Sequence, residues 1–129
     1  MYKLATGDVE TLRARLASGF PPADRKLIEL PENMAIFVEE IREGYRQGWE
    51  GPASDDLVIF RPWGFRLSDI STRVGIWHGD VDENIPLDHA SYNLENIPNC
   101  RLTVWPGMGH LGLLGKWREV LAALTAENL

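Results

Sequence analysis

The sequence is short of cysteine: Cys100 stands alone among 129 residues. An internal disulfide is excluded, and a reducing, cytoplasmic setting is the expectation. Long apolar runs are missing too. No stretch approaches the ~20 residues that would cross a bilayer. No basic segment followed by an apolar one marks a signal peptide near Met1. Cationic charge is scarce, with 13 Lys and Arg against 19 Asp and Glu and a formal charge of −6. That balance argues against a nucleic-acid partner, whose phosphates need a surplus of cations. What is present is ordinary for a globular chain: 44% hydrophobic and 25% charged residues, enough for one domain with a modest core. No internal repeat or low-complexity tract interrupts it.

The first part reads as helical. Thr6, Gly7 and Asp8 supply an N-cap for a helix running to about Ser18, with Val9, Leu12 and Leu16 at helical spacing. Gly19 and the Pro21-Pro22 pair end it. A second helix begins near Pro31, a residue suited to the first turn. Met34, Phe37, Val38, Ile41 and Tyr45 form its apolar stripe, Glu32 and Arg46 complement its dipole, and Gly48 stops it. Its other face carries Glu39, Glu40 and Glu43. Residues 49–72 read as irregular and aromatic, with a short extended piece at Leu57–Phe60.

The second part changes period. Arg73–His78 is a short apolar run closed by Gly79, the pattern of a buried strand. Leu87–Asn96 reads as a helix after Pro86, and Arg101–Trp105 as a second strand closed by Pro106-Gly107. A last helix spans about Leu113 to Glu127, with Trp117, Val120, Leu121 and Leu124 on one face. Strand, helix, strand, helix predicts parallel strands joined by a crossover, an α/β arrangement.

Two loops carry the chemistry. His78-Gly79-Asp80-Val81-Asp82-Glu83-Asn84-Ile85-Pro86 follows the first strand, and Pro106-Gly107-Met108-Gly109-His110-Leu111 follows the second. Ligands and reactive groups collect at the C-terminal edge of such sheets. If the strands are neighbours, Asp82 and His110 emerge side by side. A carboxylate beside an imidazole is the orienting part of a nucleophilic triad, in which the acid fixes the tautomer and the imidazole shuttles the proton.

These loops resemble those of the α/β-hydrolase family. The strand-seven loop of that family reads approximately hydrophobic-x-G-x-x-D-x-x-hydrophobic-P, and IWHGDVDENIP places Asp82 at the acid position. Its histidine loop reads roughly hydrophobic-x-x-x-G-H-hydrophobic, and VWPGMGHLGLL places His110 at the histidine position, in the family's order. The resemblance covers residues 56–129, and residues 1–55 resemble the helical cap that many members insert before this region. It implies a partial α/β-hydrolase fold: two or three parallel strands with flanking helices, preceded by a cap. The sequence departs from the family in having no G-x-S-x-G nucleophile. Ser18, Ser54, Ser68, Ser71, Ser91 and Cys100 all lack that setting, and no HGGG-like oxyanion loop is present. The chain is therefore expected to be a fragment, the product of a truncated gene, or a subunit that completes its sheet with another chain.

Competing patterns are weaker. DVDEN begins like a calcium loop, but Ile85 stands where glycine is required and Ser91 where glutamate is. A metal site from His78, Asp80, Asp82 and His110 is conceivable but disfavoured. Gly107 to Gly112 fits G-x-G-x-x-G, yet no further strand with an acidic residue follows, so the glycines read as a turn presenting His110. Asp80 is expected to cap the turn or the following helix, His78 to pack at the strand end, and His89 to sit on an exposed helical turn. The aromatic stretch Trp49–Phe65 is expected to pack between cap and sheet, with a pocket for an apolar substrate as the alternative.

The functional expectation is the acid–histidine half of a serine-type hydrolase acting on a small apolar ester or related acyl substrate, inactive alone and needing no cofactor. The alternative is a non-enzymatic oligomerisation or binding domain derived from the same scaffold. Partners are expected to be further copies of the chain or a complementing hydrolase N-terminal segment, with neither nucleic acid nor membrane involved. Unpaired strand edges need cover, so a homodimer or larger assembly is expected. Sedimentation showing a compact monomer at micromolar concentration contradicts that.

Overall fold

The computed structural model describes residues 1–126, so the expected extension of the last helix to Glu127 lies outside the described residues. The chain is a mixed α/β protein, mostly helical, with two short parallel strands. It divides into two compact units. One comprises residues 1–20 and 28–63, and the other residues 21–27 together with the chain from Gly64 onward. The division expected near residue 55 thus falls after Trp63, and a short early segment belongs with the strands.

The first unit is helical. Helix α1 spans Tyr2–Ala5, α2 Val9–Gly19, α4 Pro31–Gly44 and α5 Glu50–Ile59, while α3, Pro22–Ile28, lies mostly in the other unit. The Asp8 carboxylate caps α2 by accepting the Thr11 N–H at 2.8 Å, as the sequence indicates. Pro31 occupies the first turn of α4, where its missing N–H has no intrahelical partner to lose. Helices α1, α2 and α4 pack on one another. Ala5, Leu12, Leu16, Met34 and Val38 supply the buried side chains, with Ile28 at the end of α3. Phe20 meets Phe37 edge to face at 6.0 Å. Helix α4 ends at Gly44, with Arg42 rather than Arg46 in its last turn.

Two expectations fail here. Residues 50–59 are a helix, and Leu57–Ile59 is its last turn rather than an extended piece. Pro52 is tolerated in that first turn. No residue of α5 is buried, so it has no apolar stripe from which a period could be read. Pro21-Pro22 closes α2 but also opens α3, since proline suits the first helical position. The aromatic segment does not form core: Phe60 is 86% exposed, and Trp49, Trp63 and Phe65 are exposed as well.

In the second unit, β1 is Val74–Gly79 and β2 is Cys100–Trp105, paired parallel from Val74 opposite Cys100 to Gly79 opposite Trp105. The Val74 N–H donates to the Asn99 carbonyl at 2.9 Å, and the Asn99 amide donates to the Ser71 carbonyl, pinning the N-terminal edge. Helix α6, Leu87–Asn96, packs on both strands and buries Ala90 and Ile97. A 3-10 helix at His110–Gly115 precedes α7, Trp117–Thr125, so the final α-helix starts later than expected. Of its expected apolar face only Val120 is buried; Trp117, Leu121 and Leu124 are exposed. Trp105 is buried at the end of β2, and its indole N–H donates to Glu119 at 2.8 Å. That bond and Lys116 hold the Glu119 carboxyl below its usual range.

No helix of the described residues is long and apolar enough to cross a membrane. Leu12 is fully buried, so Leu12→Ala should cost about 2–5 kcal/mol in a denaturant titration. Phe60→Ala, at a side chain already in water, should change stability by no more than about 0.5 kcal/mol.

Candidate functional site

Because Gly79 and Trp105 are register partners, the loops after β1 and β2 leave the same edge of the sheet. Main-chain bonds stitch them together. The Asp80 N–H donates to the Trp105 carbonyl at 3.3 Å, and the Val81 N–H to the Met108 carbonyl at 3.1 Å. The approach is close because Gly79 has no side chain: a Cβ there would overlap the Met108 carbonyl. Asp80 adds a further tie, accepting the Gly107 N–H at 2.6 Å. The expected turn cap is thus a bond between the loops.

Asp82 and His110 come together. Asp82 Oδ2 lies 3.0 Å from His110 Nδ1, while Oδ1 accepts the N–H groups of Asn84 at 2.8 Å and Ile85 at 2.9 Å. The Asp82 side chain is 4% exposed and that of His110 44%. Burial pushes the Asp82 carboxyl upward. The Ile85 N–H, the His110 ring and the Asn84 N–H outweigh it and hold the group below the usual carboxylate range. An ionised acceptor at Nδ1 requires the proton on Nδ1, so Nε2 of the neutral ring is a base on the open side. His78 packs at the strand end as expected, its Nε2 2.9 Å from the Ile85 carbonyl and 3.8 Å from Asp82 Oδ2. A carbonyl only accepts, so His78 carries its proton on Nε2, the tautomer opposite to that of His110.

An open pocket of about 300 Å³ adjoins the pair. Trp77, Ile85, Trp105 and Leu113 line it with apolar surface, and His78, Asp82 and His110 supply its polar groups.

One residue of the arrangement gives no sign of itself in the sequence. Asp24, in the first turn of α3, is 1% exposed. Its carboxylate accepts the main-chain N–H groups of His110 at 3.1 Å and Leu111 at 2.8 Å. These two N–H groups of the Gly107–Gly112 turn are thus taken up by this carboxylate. Serine and cysteine are placed elsewhere. Ser68 and Ser71 precede β1, and Ser91 lies on α6 with its hydroxyl on the Leu87 carbonyl at 3.3 Å. Cys100 begins β2, roughly 17 Å along the strand from Trp105 at ~3.3 Å per residue. His89 is exposed, and no cluster of three metal-ligating groups is set for an ion among the described residues.

No family profile, curated protein or solved structure matches this chain.

The pH dependence follows from Asp82. Its value in the folded protein lies below the ordinary one, so its stabilisation is complete above about pH 4 and is lost as pH falls through the lowered value. Unfolding midpoints of the wild type, measured from pH 7 downward, should lose the Asp82 contribution only below about pH 4. In Asp82→Asn they should start lower and fall less.

Proposed function

We propose that Asp82 and His110 form the acid–base half of a hydrolase site built on the C-terminal part of an α/β-hydrolase scaffold, with residues 1–55 as its cap-like segment. The observation that carries this reading is the 3.0 Å contact between Asp82 Oδ2 and His110 Nδ1, buried on the acid side and open on the imidazole side. In this reading His110 Nε2 takes the proton of a nucleophile and returns it to the leaving group. Asp82 keeps the ring in the required tautomer and stabilises the imidazolium. In this reading the nucleophile and the oxyanion donors lie outside this sequence, which carries no G-x-S-x-G elbow and no HGGG-like loop. The apolar walls of the pocket favour a small ester or related acyl substrate.

A second reading, an oligomerising or binding domain on the same scaffold, is favoured by the exposed run Leu57, Val58, Ile59 and Phe60. The two separate in a complementation assay. The chain is co-expressed with α/β-hydrolase N-terminal segments that carry a G-x-S-x-G elbow, and a short-chain ester is supplied. The first reading expects no hydrolysis by the chain alone, turnover in the complemented pair, and a loss of at least a hundredfold in Asp82→Asn or His110→Ala. Turnover that survives either substitution overturns it. Failure of every segment to give turnover favours the second.

A further inference from the structure

We infer that Asp24 is a positioning residue for His110, setting the angle at which the imidazole meets Asp82. The inference rests on the acid–histidine reading of the site and adds a second carboxylate to it. Three observations carry it. Asp24 is the only charged residue buried to 1% among the described residues, and a carboxylate so placed needs donors around it. The donors it has are the N–H groups of His110 and of Leu111, one on each carboxylate oxygen, 86 and 87 residues away in sequence. Gly109 makes the approach possible, since a Cβ at that position would overlap the carboxylate.

The geometry gives this grip a direction. The two N–H groups belong to the peptides on either side of the His110 Cα, so one carboxylate fixes the position and tilt of the backbone there. The His110 side chain leaves the backbone between those two peptides. Its Nδ1 must then reach Asp82 Oδ2, whose own carboxylate is fixed by Asn84 and Ile85. The histidine is thus held twice, by its backbone through Asp24 and by its ring through Asp82. Asp24 does not line the pocket, and its bonds to the loop are to the main chain.

The test is nuclear magnetic resonance of the full chain labelled with ¹⁵N. Ring nitrogen shifts report the tautomer of each histidine, and amide exchange reports the two N–H bonds. Wild type is expected to show His110 protonated on Nδ1, with slow exchange at His110 and Leu111. Asp24→Ala should speed exchange at both amides by about tenfold or more and move His110 toward a mixture of tautomers. Asp24→Asn keeps one acceptor oxygen, so one amide should stay slow and the tautomer should shift only partly. Gly109→Ala displaces the carboxylate while leaving Asp24 in the chain, and it should reproduce the Asp24→Ala signature, with His78 unchanged on Nε2. Folded Asp24→Asn and Gly109→Ala proteins that keep both amides slow and His110 on Nδ1 overturn the inference, whether or not Asp24→Ala folds. A wild-type His110 protonated on Nε2 instead sinks the acid–histidine reading, and the amide exchange still decides whether Asp24 holds the loop.

Discussion

An ionised carboxylate in a nearly dry position is what the sheet edge depends on. Asp82 receives two main-chain N–H groups and one imidazole N–H, and its side chain is 4% exposed. Without those donors burial would favour the neutral acid; with them the charge is the stable form. The charge in turn orders the loop from Gly79 to Pro86 and selects the tautomer of His110. Asp80 and Asp24 repeat the device nearby, each accepting main-chain N–H groups of the second loop. The edge is therefore shaped by side-chain acceptors, where a longer sheet would use further strands.

This division of labour explains which parts of the molecule the sequence reveals. Both strands are legible because each is a short apolar run bounded by glycine or proline, and the intervening helix because it opens after Pro86. Parallel pairing in register then brings Asp82 and His110 to one edge, so their proximity follows from local pattern and one topological rule. The fold is legible to the level of a mixed α/β chain with two parallel strands.

What escapes a sequence reading escapes for physical reasons. Helix α5 has no buried face, so hydrophobic spacing carries no signal, and its terminal Leu57-Val58-Ile59 run mimics a strand. Helix α3 hides behind a proline pair that normally signals a break, although the second proline is well placed for a first turn. Asp24 looks like any acidic residue near a helix start, where the dipole favours negative charge. Its real partners lie 86 and 87 residues downstream, and no local pattern encodes that separation.

The tryptophans are distributed so that the molecule carries its own optical probe. Trp49, Trp63 and Trp117 stand at the surface, where an aqueous quencher reaches them. Trp105 is buried, bonded to Glu119, and forms part of the pocket wall next to His110. Once the surface emission is suppressed by iodide or acrylamide, the residual light comes chiefly from indoles beside the site. A molecule entering that space then changes the colour or yield of emission without any label being attached.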